Sequence, residues 1–384
     1  MTRRLAYLDN LKVLLVGGVI AVHSAVTYGF DGSWYLESYD ELTAPLVDAL
    51  TVMIVTGWMF GLGLFFLISG RLSGPSLDRK GAGRFARERA IRLGTPVLAY
   101  TLLVSPALEY FDYRENEGGA GGFWSFFADQ IWHFGPGPTW FLEALLAFSL
   151  GYALLRAWRP PRRAPSRAPL RGRHVAGMAL AIAASSFAAH LAWPIGSEQF
   201  HLQLGMFPQY AILFSLGVAG GRRGWLETLT PKLQRRCGLV AACTALAMPA
   251  ILLAGDFFAG GAAEARFLGG WHWQAGAASL TEGVLATCVS LWAVACFRRR
   301  HNSLRPLARH MAPAAYGAFI VHPPVLVGLA LAIQGAPVPA ELKFICVLAG
   351  GLAGSFGLAA LATHARPIAR TIGTPPAASF VRVS

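Results

Sequence analysis

Ten apolar stretches, each long enough to cross a bilayer as a helix, alternate along the chain with polar connections. A further apolar stretch, 122–134, is short and contains an Asp and a His, which favours an interfacial or re-entrant segment over another crossing. We therefore predict an all-α integral membrane protein, a bundle of about ten transmembrane helices. The predicted spans are 11–29, 47–70, 92–111, 139–158, 174–194, 201–220, 237–255, 275–297, 311–333 and 343–363.

Composition supports the bilayer as the solvent of this chain. Of its 384 residues, 54% are hydrophobic and only 14% are charged, and the mean hydropathy is +0.46. The net charge of +13 would suit a nucleic-acid partner in a soluble chain. Here, however, the arginines lie in short runs between apolar segments, where they report membrane orientation. We therefore expect a lipid bilayer as partner and no nucleic acid.

The basic residues alternate between successive connections. Those after spans 2, 4, 6 and 8 are rich in Arg, whereas those after spans 1, 3, 5, 7 and 9 contain only Arg114 and Arg266 as basic residues. Because positive charge collects on the cytoplasmic side, this alternation predicts an even number of helices with both termini cytoplasmic. The first segment lacks the pattern of a cleaved signal peptide, so we interpret it as a retained helix.

No folded soluble domain interrupts the spans, and we predict a single transmembrane domain over residues 1–384. The longest connection, Arg156 to Arg173, is rich in Pro and Arg and is interpreted as a flexible linker near anionic headgroups. The five cysteines form neither a CxxC motif nor a Cys/His pattern. The sequence therefore indicates no disulfide framework and no metal site.

The first span carries the leading candidate for chemistry. His23 and Lys12 are eleven residues apart, which places them on one helix face about 16 Å apart, and Asp9 is close enough to pair with Lys12. With Lys12 at the first interface, His23 is predicted about halfway across the bilayer. Polar groups at that depth usually face a bundle interior or a cavity. The alternative is a core histidine bonded to neighbouring groups.

The ends of the second and third spans suggest further sites. Gly61, Gly63, Ser69 and Gly70 would let another helix or a thin ligand approach the second span closely, and helix packing alone is the simpler explanation.

In the third span Arg89 and Arg92 are three residues apart, so they can bind a phosphate together or anchor the helix at the cytoplasmic interface. For Arg84 and Arg87, one turn earlier, we favour the anchoring role. Gly94 and Pro96 are expected to disturb the helix just beyond Arg92.

Four more polar or aromatic positions lie at or inside predicted spans. Trp140 suits an interfacial belt, whereas Glu143, Glu282 and His322 each need a partner within the bundle. Pro323 and Pro324 follow His322 and are expected to break the helix there, which would free carbonyls to line a cavity.

These residues belong to motifs that resemble those of the membrane-bound acyltransferase-3 family. The similar stretches are YLDNLKVLLVGGVIAVH with Lys12 and His23, FFLISG at 65–70, the RxxR unit of Arg89 and Arg92, WFLEALL at 140–146, AYGAFIVHPPVL at 315–326 and PQYAILFSLGVAGGRRGWL at 208–226. They occur in order over almost the whole chain. Two features depart from the family: Lys12 replaces the commoner Arg, and no periplasmic esterase-like domain is appended.

The resemblance implies a multi-pass bacterial inner-membrane enzyme that moves an acyl group, commonly acetyl, from acyl-CoA to a hydroxyl of a glycan, glycolipid or related acceptor. It implies acetyl-CoA or another acyl-CoA as cosubstrate, with no bound cofactor. His23 would act as general base or by direct attack, and Asp9, Lys12, Ser69, Arg89 and Arg92 would support it or bind the donor. Trp140, Glu143, Glu282 and His322 are candidates for the acceptor side.

A transporter is the alternative from another functional class. Intramembrane His and Glu residues would then form a proton or substrate path. The sequence shows no internal repeat of the kind that many transporters contain, which makes this alternative less favoured.

Overall fold

The computed structural model describes residues 5–29, 34–36, 42–115, 118–159, 169–226, 228–303 and 306–364, and within these ranges the chain forms fifteen α-helices. The first eight are α1 (Ala6–Val26), α2 (Ala44–Trp58), α3 (Gly61–Lys80), α4 (Ala82–Arg89), α5 (Thr95–Ala99), α6 (Ser105–Glu115), α7 (Phe123–Gln130) and α8 (Trp140–Trp158). The others are α9 (Gly172–His190), α10 (Phe207–Arg223), α11 (Pro231–Ala254), α12 (Gly261–Leu268), α13 (Trp273–Arg300), α14 (Pro306–Ile333) and α15 (Ala340–His364).

Nine stretches of the described residues are long and apolar enough to cross a membrane, which confirms the all-α multi-pass membrane fold. They are Ala6–Val26, Ala44–Lys80, Ala82–Arg114, Gly137–Trp158, Leu204–Arg223, Pro231–Ala254, Trp273–Arg300, Pro306–Ile333 and Ala340–Thr363. The remaining predicted span, 174–194, is the fifth along the chain and corresponds to α9. Its hydropathy is lowered by Arg173 and His174 at one end and His190 at the other. The linker residues 160–168 and the C-terminal residues 365–384, on which the topology prediction depends, lie outside the described residues.

Helix α7 accounts for the ambiguous stretch 122–134. It has only 8 residues, about 12 Å of helix, which is far too short to cross a bilayer. Its Phe126 ring packs 5.6 Å from the ring of Tyr110 and 5.0 Å from that of Tyr113 in α6, while Trp124 is largely exposed. This arrangement agrees with an interfacial segment.

The third span departs from a regular α-helix at the residues that sequence analysis singles out. Five residues of π-helix, Ala90–Gly94, separate α4 from α5, and a second π segment, Tyr100–Val104, separates α5 from α6. Pro96 has no N–H to donate to the carbonyl of Arg92 at the usual i−4 spacing, and this carbonyl instead accepts a 2.7 Å hydrogen bond from the Tyr316 hydroxyl. The predicted disturbance at Gly94 and Pro96 is confirmed.

The chain divides into two compact units. The first comprises Met1–Leu11, Val52–Arg89 and Ala144–Ser303, and the second comprises Lys12–Thr51, Ala90–Glu143 and Leu304–Ser384. Helix α1 and the third span each contribute residues to both units. Consequently Arg89 belongs to the first unit and Arg92 to the second.

Close contact between α3 and α10 organises the first unit. A side chain at Gly70 would collide with the backbone of Phe214, and one at Gly217 with the carbonyl of Leu67. A side chain at Gly63 would collide with the side chains of Gln209 and Leu213. Small residues at a helix crossing let two backbones approach closely. At Gly63 and Gly70 the glycine face therefore serves helix packing, the simpler of the two explanations, because α10 occupies that space.

In the second unit, α14 packs on α15 and continues through its prolines. Pro313, Pro323 and Pro324 all lie inside the helix, so the expected break after His322 is wrong. Neighbouring groups can satisfy the carbonyls that proline leaves without a donor, and a helix then tolerates proline. The carbonyl of Phe319 is satisfied in this way, because it lies 2.6 Å from His322 Nδ1.

Candidate active site

His23 lies at the end of α1, not at its middle. The helix begins at Ala6, with Asp9 in its first turn, and ends at Val26. An acidic residue suits the positive end of the helix dipole, and Gly29, with φ 100°, lies just beyond the other end. His23 therefore occupies the last turn of the helix, and its depth in the bilayer stays a prediction.

His23 contacts a second histidine from a distant part of the chain. His23 Nδ1 lies 2.8 Å from His322 Nε2, and the ring centroids are 4.9 Å apart with an interplanar angle of 15°. His322 is completely buried, at 0% exposure, whereas His23 is partly exposed. Sequence analysis places His322 on the acceptor side; in the structure it is the hydrogen-bond partner of the candidate base.

Trp34 stacks on the histidine pair. Its ring centroid lies 4.3 Å from that of His23, with an interplanar angle of only 9°, and 6.2 Å from that of His322. Trp34 is 8% exposed, and its indole N–H has no hydrogen-bond partner among the described residues. A buried N–H usually finds an acceptor. The stack therefore places the oriented imidazole of His23 beside an indole N–H that has no acceptor among the described residues.

A pair of tyrosines adjoins the stack. The Tyr35 ring is 5.5 Å from that of Trp34, and the Tyr100 hydroxyl donates to the Tyr35 hydroxyl at 3.3 Å. Burial raises the pKa of Tyr35 to about 12, so its phenol stays neutral at physiological pH. Gly137, with φ 46°, lies beside it, and a Cβ there would collide with the Tyr35 hydroxyl.

The other candidates of the second unit occupy three elements. Arg92 is exposed, and its guanidinium lies over the Tyr316 ring, 5.6 Å from the centroid. Trp140 and Glu143 lie in the first turn of α8 and are partly buried. Lys12 is also partly buried, in α1.

The remaining candidates belong to the first unit. Asp9 is partly buried at the start of α1. The Ser69 hydroxyl is buried and has no partner within the described part of the chain. Arg89 is partly buried, donates to the Ser73 hydroxyl at 3.2 Å and lies over the Phe85 ring.

Glu282, also in the first unit, is 2% exposed. Its Oε1 accepts hydrogen bonds from the Ser186 hydroxyl at 2.9 Å and the Gln209 amide at 3.0 Å. Among the described residues, no group of three or more His, Cys, Asp or Glu side chains could hold a metal ion.

Comparison with protein families identifies the family to which this chain belongs. The family model described as an acyltransferase domain, that of acyltransferase-3, matches residues 5–364. The chain belongs to the acyltransferase-3 family. It is therefore a multi-pass membrane acyltransferase, and this membership favours the acyltransferase over the transporter. No curated protein and no solved structure gave a match.

Sequence analysis of this acyltransferase misses the residues that surround His23. Trp34, Tyr35 and Tyr100 are absent from the predicted site, because aromatic residues near a membrane boundary are usually assigned to the interfacial belt. The available signal is the Trp-Tyr pair in the connection that immediately follows the span of His23. The contact between His23 and His322 joins residues 299 positions apart, so no local sequence pattern indicates it.

Proposed function

We propose that this acyltransferase moves an acyl group, most often acetyl, from a cytoplasmic acyl-CoA to a hydroxyl of a carbohydrate, glycolipid or related acceptor in a bacterial inner membrane. The observation that carries the proposal is the partly exposed imidazole of His23, hydrogen-bonded to a completely buried histidine in a chain of this family. The imidazole of histidine is the side chain most often used as a general base.

In the proposed reaction His23 removes the proton of the acceptor hydroxyl while the hydroxyl oxygen attacks the thioester carbonyl. The new ester bond forms, the carbon–sulfur bond breaks, and the imidazolium returns its proton to the departing CoA thiolate. The products are an acylated acceptor and free CoA. In the alternative route, the imidazole attacks first and an acyl-imidazole is then transferred to the hydroxyl.

The donor-binding part of the proposal concerns Arg89 and Arg92. Their RxxR spacing, the exposure of Arg92 and the partial burial of Arg89 support guanidiniums at the membrane edge that can reach the phosphates of CoA. Lys12 and Asp9 lie on the same helix as His23, and Lys12 is about 16 Å from it along the axis. We assign these two to donor binding or to fixing the helix start, since Lys12 is too distant for the chemical step.

The test uses the complete chain in lipid nanodiscs with acetyl-CoA. Release of free CoA that depends on an added hydroxyl acceptor, with the mass of the acceptor raised by one acetyl group, is the expected result. His23→Ala should lower turnover by about two to four orders of magnitude, the usual contribution of a general base.

The matched control is His133→Ala, because His133 is exposed and lies outside the ring stack. Near wild-type turnover of His23→Ala would refute the assignment of the base. Absence of acyl transfer from every acyl-CoA supplied, across sugar and glycolipid acceptors, would refute the proposed reaction.

A further inference from the structure

In the second unit, the Phe319 carbonyl, His322 and His23 form a chain of hydrogen-bond contacts. The carbonyl of Phe319 lies 2.6 Å from His322 Nδ1, and His322 Nε2 lies 2.8 Å from His23 Nδ1. Both contacts have hydrogen-bond length. Each ring nitrogen of a neutral imidazole has one role, since one donates and the other accepts.

The carbonyl fixes the direction of both bonds. A carbonyl oxygen only accepts, so His322 Nδ1 carries the proton and donates to Phe319. His322 is completely buried, and the rings that it contacts among the described residues are those of Phe319, His23 and Trp34, none of which is a carboxylate. Burial of a cation without a counter-charge is costly, so His322 is neutral and its Nε2 accepts. His23 Nδ1 must then donate, which leaves the lone pair of His23 on Nε2.

Pro323 explains why the Phe319 carbonyl is available. In an uninterrupted α-helix the N–H of residue 323 would donate to the carbonyl of residue 319. Proline has no N–H, so this donor is missing. The next proline, Pro324, removes the donor to residue 320 instead, which takes no part in the line of bonds. The two neighbouring prolines therefore differ in their connection to His23.

We propose that His322 is a positioning residue that holds His23 with its proton on Nδ1 and its reactive lone pair on Nε2, and that Pro323 enables it by freeing the Phe319 carbonyl. The inference rests on the proposed role of His23. When His23 Nε2 takes the acceptor proton, the resulting imidazolium keeps its Nδ1–H bond to His322. A neutral imidazole thus occupies the place that a carboxylate takes in a Ser-His-Asp triad.

Two substitutions of His322 distinguish the contributions of its two ring nitrogens. The amide of Gln reaches the position of Nε2 and can accept from His23, whereas the shorter amide of Asn reaches only the position of Nδ1. His322→Asn should therefore lower kcat by about 100- to 10,000-fold, the range seen when a catalytic histidine loses its tautomer or its function as base. His322→Gln should stay within about tenfold of wild type, the effect of one weakened hydrogen bond. KM for acyl-CoA should change less than about twofold in both.

The prolines provide a pair of variants that should fold equally well, because Ala favours a helix more than Pro does. Pro323→Ala restores an N–H that competes for the Phe319 carbonyl and should lower kcat by about three- to tenfold, the effect of roughly one hydrogen bond. Pro324→Ala should leave kcat unchanged. Equal effects of the two variants, or equal losses in His322→Asn and His322→Gln, would overturn the inference.

A measurement that needs no turnover separates this inference from the proposed function. Protein labelled with ¹⁵N-histidine in nanodiscs, with the His23 signals assigned by their loss in His23→Gln, reports which ring nitrogen is protonated. We expect protonated Nδ1 and unprotonated Nε2 for His23 in the wild type, and loss of this preference in His322→Asn. Protonated Nε2 in the wild type would overturn the inference even if acyl transfer is observed, whereas the expected tautomer would uphold it even if acyl-CoA is not the donor.

Discussion

Each unit of this acyltransferase places an ionisable side chain among apolar helices, where such groups are energetically costly and usually have partners. In the first unit Glu282 is 2% exposed, and its carboxyl oxygen accepts from Ser186 in α9 and Gln209 in α10. In the second unit His23 is partly exposed and bonds on one side to the buried His322. Both groups have polar partners, but only His23 remains accessible.

This difference indicates different roles. Gln209 also donates to the carbonyl of Met59 at 2.7 Å, so the Glu282 cluster ties α9, α10 and α13 to the connection between α2 and α3. A fully buried polar network of this kind rigidifies a fold. A substrate needs access to a reacting group, and of these two residues His23 is the partly exposed one. We therefore expect Glu282 to stabilise the first unit and His23 to carry the chemistry of the second.

The largest effect that tests this comparison is expected for Glu282→Ala. The change leaves the Ser186 and Gln209 donors without their acceptor and opens a cavity, which should lower the free energy of unfolding by about 2–5 kcal/mol. Thermal unfolding of the purified protein measures the loss. Turnover per folded molecule should stay within about threefold of wild type, because no rate-determining contact is removed.

Glu282→Gln is the matched control, since its amide keeps an oxygen that both donors can reach. It should unfold close to the wild-type temperature. A Glu282→Ala protein of normal stability whose turnover falls as far as that of His23→Ala would place Glu282 in the reaction and end the distinction between the two clusters.

The comparison also shows what the sequence could reveal about this protein. Span positions follow from local hydropathy, and the irregular helix at Gly94 and Pro96 follows from the missing N–H of Pro96, so both were predictable. The break after His322 was not correct, because a side chain rather than water or a cavity satisfies the freed carbonyl of Phe319. The other ring nitrogen of His322 contacts His23 and so joins α14 to α1. The contact between His23 and His322 depends on tertiary packing, which residue spacing along the sequence does not reveal.

A smaller effect is expected for the two arginines, one in each unit. Arg89→Ala and Arg92→Ala should each raise KM for acyl-CoA by roughly ten- to a hundredfold, since a charge-assisted hydrogen bond contributes about 1.5–3 kcal/mol. Acceptor KM should change little. Lys at either position should restore binding only in part, because an ammonium lacks the bidentate geometry of a guanidinium.

Arg84→Ala is the control for the arginines, because Arg84 is exposed and pairs with Glu88 at 3.1 Å. The informative comparison uses a donor truncated at the pantetheine, which lacks the nucleotide phosphates. If the Arg89 and Arg92 variants impair this donor as strongly as complete acyl-CoA, the two arginines do not bind phosphate.

The smallest effect is expected for Trp34, which stacks on His23. An aromatic contact contributes about 0.5–1.5 kcal/mol beyond its buried area. Loss of the stack in Trp34→Ala should therefore lower kcat by roughly two- to tenfold, because the imidazole is less firmly oriented. Trp34→Phe keeps an aromatic face and should stay within about twofold of wild type.

The two Trp34 variants distinguish the ring from its N–H. Trp132→Ala is the control, since this side chain is 90% exposed and its removal should leave kcat unchanged. If Trp34→Phe loses as much activity as Trp34→Ala, orientation by stacking is not the function of Trp34, and its buried indole N–H, which has no partner among the described residues, is the group that matters. A donor beside the base would then bind the acyl carbonyl oxygen as negative charge develops on it, so the loss in Trp34→Phe should fall on kcat while KM for acyl-CoA stays constant.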